Sequence, residues 1–176
     1  MTSVPERPSD DSAMDAESMV VTLFNAEAER LAHLARFFVD DRTAAEDLVQ
    51  ESFIRLARNA NRIQDPSRAA AYLRSIVINL ARDHNRRGLV SLRHRPPADV
   101  DDRSAEDHAT QSEDRRQVLA ALRGLPRRQR ECVTLRYYMD LPIGEIAETL
   151  GLSPNSVKTH LQRGLRALAR DLEGVR

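Results

Sequence analysis

The side chains of this chain that could do chemistry are equipped to bind rather than to turn over a substrate. Asn155, Ser156, Lys158, Thr159, His160, Arg163 and Arg166 bring amides, hydroxyls and cations into one short stretch that contains no carboxylate. Amides and hydroxyls can hydrogen-bond base edges, and Lys and Arg can neutralise phosphates. A second set, Ser75, Asn79, Arg82 and Arg86, recurs at intervals of four, three and four. That spacing places all four on one face of a helix. Catalytic constellations are missing: there is no Gly-rich phosphate loop with Lys, no HExxH and no paired-Cys site. His33, His84, His94, His108 and His160 are scattered, so no metal and no cofactor is expected. Both polar sets also have a plain reading, as a solvated helix face and as a two-helix corner.

The stretch around Asn155 has the parts of a helix-turn-helix. Ile143 to Leu150 predicts a short amphipathic helix with Ile146, Ala147 and Leu150 inward. Gly151 supplies the bend, and Ser153-Pro154 is an N-cap and first-turn pair for the next helix. Val157, Leu161, Leu165, Leu168 and Leu172 are expected on its buried side. In such a motif the N-terminal end of the second helix enters the major groove of DNA. Two supporting helices, Asp114 to Leu125 and Pro126 to Tyr138, are expected ahead of it. Val118, Leu119, Leu122, Leu125, Val133, Leu135 and Tyr138 are their predicted core. Arg127, Arg128 and Arg130 crowd one helix start, where the helix dipole disfavours cations unless an anion lies near.

The set around Asn79 belongs to an earlier helical block. Asp65 and Pro66 open a helix predicted to run to Arg87, with Ala69, Tyr72, Leu73, Ile76, Val77 and Leu80 as its core stripe. Before it, Thr43 to Asn59 reads as a helix with Thr43 as N-cap and Glu46 completing a capping box. Ala45, Leu48, Val49, Ser52, Phe53 and Leu56 fall on its inner stripe, while Asp47, Gln50, Glu51 and Ile54 fall on the outer one. An Ile among acids on an outer face hints at a protein-contact surface.

The whole chain has the composition of an all-α protein in two small helical domains. Hydrophobic residues make up 41% but aromatics only 4%, with no Trp, and β-branched residues never alternate over a run. A polar, acidic tail is predicted for residues 1–17 and a first domain for 18–88, with Gly88 as helix terminator. Residues 89–113, with Pro96-Pro97 and a cluster of acids, read as a flexible acidic linker, and 114–173 as the helix-turn-helix domain. The formal net charge of zero conceals segregation: about residues 61–95 the excess is six positive, over 96–114 six negative, over 115–140 five positive. Opposite blocks imply separate surfaces with separate partners. There is one Lys, Lys158, in a chain otherwise basic through Arg. A single Cys, no signal-like start and no long apolar run fit a cytoplasmic protein without membrane insertion.

Three segments, AAEDLVQESFIRLAR (44–58), AYLRSIVINLARDHNRR (71–87) and LPRRQRECVTLRYYMDLPIGEIAETLGLSPNSVKTHLQRGLRAL (125–168), resemble the extracytoplasmic-function group of bacterial RNA polymerase sigma factors. The resemblance spans both helical blocks in order. By itself LSPNSVKTHL is as similar to the DNA-binding domain of two-component response regulators, which would leave the first block without a role. A sigma factor is not an enzyme; the resemblance implies a subunit that binds core RNA polymerase and promoter DNA, with an anti-sigma factor as a possible further partner and no small-molecule substrate. It implies that Asp47, Gln50, Glu51 and Ile54 dock on the polymerase clamp. It implies that the stretch from Arg62 to Arg68 captures a flipped base of the −10 element. Tyr72, Ser75, Asn79, Arg82 and Arg86 would hold the melted strand, and the second domain would read the −35 element. Many relatives carry a Trp on the helix after Pro66; here Ala71-Tyr72 stands in its place.

Overall fold

The computed structural model describes residues 10–63, 65–94 and 113–173, and within them every regular element is helical. Helices α1 (Asp10–Arg36), α2 (Arg42–Asn59) and α3 (Pro66–His94) form the first domain, with a 3-10 turn at Ala60–Arg62 between α2 and α3. Helices α4 (Glu113–Gly124), α5 (Arg127–Tyr137), α6 (Ile143–Leu150) and α7 (Pro154–Glu173) form the second. The expected acidic linker falls largely on residues 95–112, outside the described residues, as do residues 1–9 of the expected tail.

Three boundaries differ from expectation, each for a local reason. Helix α1 begins at Asp10, so residues 10–17 are helical rather than part of a tail. The segment opens with Asp10 and Asp11, and acids at a helix N-terminus favour the dipole. Helix α2 is capped by Asp41, not Thr43: the Asp41 carboxylate accepts from the Thr43 and Ala44 backbone N–H groups at 3.1 and 3.2 Å. Glu46 is taken by Arg42 at 2.8 Å, so no capping box forms. Helix α3 runs through Gly88 to His94. An interior Gly costs a helix only about 1 kcal/mol, and the following Leu89-Val90-Ser91-Leu92 offers no reason to stop before Pro96-Pro97.

One hydrophobic cluster runs through both domains and has two parts. The first gathers Leu31, Leu34, Val39, Val49, Phe53, Leu56, Leu73 and Val77 between α1, α2 and α3. Phe24 meets Phe53 edge-on, with ring centroids 5.0 Å apart. The second gathers Leu122, Leu125, Cys132, Leu135, Ile146, Leu150, Val157 and Leu161. Burial raises the Cys132 thiol to about 11, as befits an inert core sulfur. Leu165 and Val118, expected inside, are exposed. The inner line of α7 instead runs Val157, Leu161, Gly164, because α7 crosses α5 too closely for a side chain at that point. A Cβ on Gly164 would lie 2.8 Å from Val133 Cγ2. Gly164→Val should therefore destabilise the fold by about 1–3 kcal/mol through overpacking, measured as a lowered urea midpoint in circular dichroism with an unchanged slope.

Candidate nucleic-acid interface

The helix-turn-helix is built by local chemistry. Gly151 takes the left-handed conformation (φ 63°), and the Leu152 N–H reaches back to the Ala147 carbonyl at 2.9 Å, closing α6. Two residues later Ser153 Oγ accepts from the Ser156 N–H at 3.1 Å and opens α7. Val157 and Leu161 then pin α7 inward, and Asn155, Lys158, Thr159, Arg163 and Arg166 are turned to solvent, with Ser156 and His160 half-buried beside them. The Thr159 hydroxyl is engaged with the Asn155 carbonyl at 3.0 Å. All seven residues lie on the outer side of one helix with no acid before Asp171. This arrangement can enter a groove and meet phosphates on its walls.

In the first domain, Asp65 caps α3 by accepting from the Ser67 hydroxyl at 2.8 Å and the Ser67 N–H at 2.9 Å. These bonds hold its carboxyl below the ordinary carboxylate range, the hydroxyl contributing most. Beside this cap lies a cavity of about 550 Å³ lined by Arg62, Ile63, Asp65, Arg68, Ala71, Tyr72, Ser75 and Glu148. Four of the residues picked out by sequence thus share one cavity: Arg62, Arg68, Tyr72 and Ser75. Tyr72, also expected in the core stripe, is 39% exposed and belongs to the cavity wall. Asn79, Arg82 and Arg86 continue along α3. Arg82 donates to the Asn79 side-chain oxygen at 2.8 Å, and Arg86 lies 3.4 Å from Asp83.

The outer stripe of α2 presents Asp47, Gln50, Glu51 and Ile54, and Ile54 is 47% exposed. Glu51 is paired with Arg55 at 2.7 Å. Sequence reasoning missed that α1 adds exposed Val21 and Phe24, the latter touching Phe53 next to Ile54. It also missed two charged residues that the fold buries. Glu131, 1% exposed, accepts from Arg82 Nε and Nη2, both at 2.7 Å, and from Arg128 at 3.2 Å. Arg74, 5% exposed, reaches Glu145 at 3.1 Å; burial lowers its pKa and the Glu145 charge opposes that. Arg74 is flanked along α3 by Ala70, Ala71, Val77 and Ile78, a guanidinium on an apolar stripe, and that was the available signal. The described residues contain no cluster of His, Cys, Asp and Glu able to hold a metal. No described helix is long and apolar enough to cross a membrane.

A three-helix domain with an arginine-bearing cavity at its edge, followed by a helix-turn-helix domain, is the architecture of a two-part DNA-binding transcription protein. Residues 23–88 match the model of Sigma-70 region 2, and residues 115–168 match that of Sigma-70, region 4. The chain is 33% identical over 145 residues to the RNA polymerase sigma-E factor of Streptomyces avermitilis, covering 82% of this chain and 80% of that one. It is 31% identical over 153 residues to the ECF RNA polymerase sigma factor BldN of Streptomyces coelicolor, covering 84% of this chain and 58% of that one. The fold is similar to that of the sigma factor RpoE of Bartonella quintana, solved in complex with the anti-sigma factor NepR. That likeness has a TM-score of 0.70 and 19% identity, and covers 89% of this chain and 98% of the other. The chain belongs to the sigma-70 family, in its extracytoplasmic-function group. It is a non-enzymatic subunit that binds core RNA polymerase and promoter DNA and directs promoter-specific transcription initiation.

Arg163→Ala should weaken duplex promoter binding several-fold. It should also lower the slope of log affinity against log salt by about one unit, as loss of one phosphate contact does. Fluorescence polarisation over a salt series would show both.

Proposed function

We propose that the two domains divide the promoter between them. The first takes the −10 element: a base leaves the stack and enters the cavity beside Arg62, Arg68 and Tyr72, while Ser75, Asn79, Arg82 and Arg86 hold the strand. Extruding a base costs a few kcal/mol. Stacking on Tyr72 and phosphate contacts from the arginines offset it. The second domain reads the −35 element as duplex through Asn155, Ser156, Lys158, Thr159, His160, Arg163 and Arg166. The observation that carries this reading is the cavity itself, lined by the turn after α2, the first turns of α3 and Glu148 of α6, and continuous with a polar helix face.

The outer stripe of α2, with Ile54 at its centre and Val21 and Phe24 alongside, docks on the clamp of core polymerase. Exposed apolar side chains rimmed by Asp47, Gln50 and Glu51 suit a protein partner better than DNA, which the acids would repel. The chain acts in the cytoplasm, where the polymerase is. An anti-sigma factor, as in the solved relative's complex, would have to compete for these same faces.

Run-off transcription with core polymerase and a promoter mapped after overexpression tests the reading; absence of a product dependent on this chain would defeat it. Asn79→Ala should slow promoter opening several-fold with little change in the closed complex, and a pre-melted template should restore the rate. Ile54→Asp should weaken core polymerase association by about tenfold, an apolar contact replaced by a desolvated charge costing of the order of 1–3 kcal/mol. Pull-down titration against purified core enzyme measures this, with circular dichroism expected to be unchanged.

A further inference from the structure

We propose that Lys158 is a regulatory acylation site: a small acyl phosphate transfers its acyl group to this one amine and so weakens the second domain's hold on duplex DNA, while the first domain is left as it is. The consequence for DNA rests on the reading of α7 as the helix that takes the −35 element; the site itself does not.

The chain holds a single Lys among 27 Lys and Arg, and it stands on the helix turned toward DNA. Arg supplies the charge at every other position, but an ammonium differs from a guanidinium in being open to acylation. The Lys158 side chain is exposed and takes part in no hydrogen bond or ion pair among the described residues. Its neighbours on the same helix face, Asn155 three residues before and Gln162 four after, are exposed neutral amides. On the adjoining α6, Glu145 is taken by Arg74 at 3.1 Å, and exposed Glu148 forms no ion pair with Lys158. No acid follows on α7 before Asp171, whereas Arg163 and Arg166 are exposed further along it. A small anion is therefore drawn to this helix rather than repelled.

The step is a plain acyl transfer. The neutral Nε attacks the carbonyl carbon of the acyl phosphate, a C–N bond forms as the C–O bond to phosphate breaks, orthophosphate leaves with that electron pair, and the amine's proton passes to water. Nothing is oxidised or reduced. The Cys132 thiol does not compete, being buried and raised to about 11. The product amide carries no charge and keeps one N–H donor where the ammonium had three. A phosphate contact of α7 is thus cancelled and a bulkier side chain is left on a turn that enters the groove. The cavity, the α3 face and the outer stripe of α2 contain no Lys, so base capture and polymerase docking stay untouched. The modification loosens one half of the grip on a promoter and spares the other.

The test treats the folded full chain with acetyl phosphate until its α-amine, the internal standard, is fully acetylated. Trypsin should then fail to cut after Lys158 and leave residues 137–163 joined, which mass spectrometry reads directly. Affinity for a fluorescein-labelled duplex carrying the −35 half of the mapped promoter should fall about fivefold, and its log–log salt slope by about one unit. Association with core polymerase should be the same before and after treatment. Lys158→Arg, compared treated against untreated, should show no change in duplex affinity. Cleavage after Lys158 that persists in the treated chain overturns the site, and that measurement involves no DNA. Acetylation of Lys158 with duplex affinity unchanged, an equal loss in the Arg variant, or weaker polymerase association overturns the proposed control. If the untreated chain does not prefer that duplex to a scrambled one, the −35 reading fails and takes the consequence for DNA with it, while the site stands or falls on the peptide alone.

Discussion

A carboxylate with almost no access to water has to be neutralised where it lies, and Glu131 is neutralised from two directions. Arg82 reaches it from the first domain and Arg128 from its own helix, and Arg128 also approaches the Leu150 carbonyl at the end of α6 at 3.5 Å. One acidic side chain thus ties together α3, the supporting helix of the second domain and the end of the first helix of the DNA-reading motif. Removing one member of a buried ionic cluster leaves uncompensated charge, which is costlier than never having buried it. Two of the three arginines at the start of α5 are explained by the same group: Arg127 and Arg128 have Glu131 of their own helix as their anion, while Arg130 donates to the Arg123 and Leu125 carbonyls.

Zero net charge would ordinarily speak against binding a polyanion. Here the two signs are sorted in space rather than mixed. Away from the cavity, which carries Asp65 and Glu148 beside Arg62 and Arg68, cations lie along the α3 face and the outer side of α7, whereas acids lie on the outer stripe of α2 and on α6. A protein that must grip DNA with some faces and a protein partner with another gains from that sorting, because like charge keeps each face from the wrong partner.

Local features were legible in the sequence. Asp65, Gly151 and Ser153 end or begin helices through bonds spanning two to five residues, and all three stand where the sequence put them. The failures share a cause. Asp41 displaced Thr43 because two good caps lay two residues apart, and the helix took the one preceding Arg42. Leu165 and Gly164 changed places because a helix crossing, not a period, decides which neighbour faces in. Tyr72 left the core stripe for a cavity wall that needs Ile63 and Glu148, residues of other elements, to exist. The pairings of Arg74 with Glu145 and of Glu131 with Arg82 were beyond reach, since those partners lie 71 and 49 positions away. Sequence periodicity sees one helix at a time, and the seam between domains is made of pairs.

The cations of the cavity and of the α3 face that carries Asn79 are all arginines; the chain's one lysine, Lys158, lies in the second domain. A guanidinium stays protonated at any pH a cell survives and offers no amine to acylate. Acetyl transfer, which quietens lysine-rich surfaces, has nothing to act on here. Such a surface is permanently switched on electrically, and the only way to damp it is to lay an anion against it.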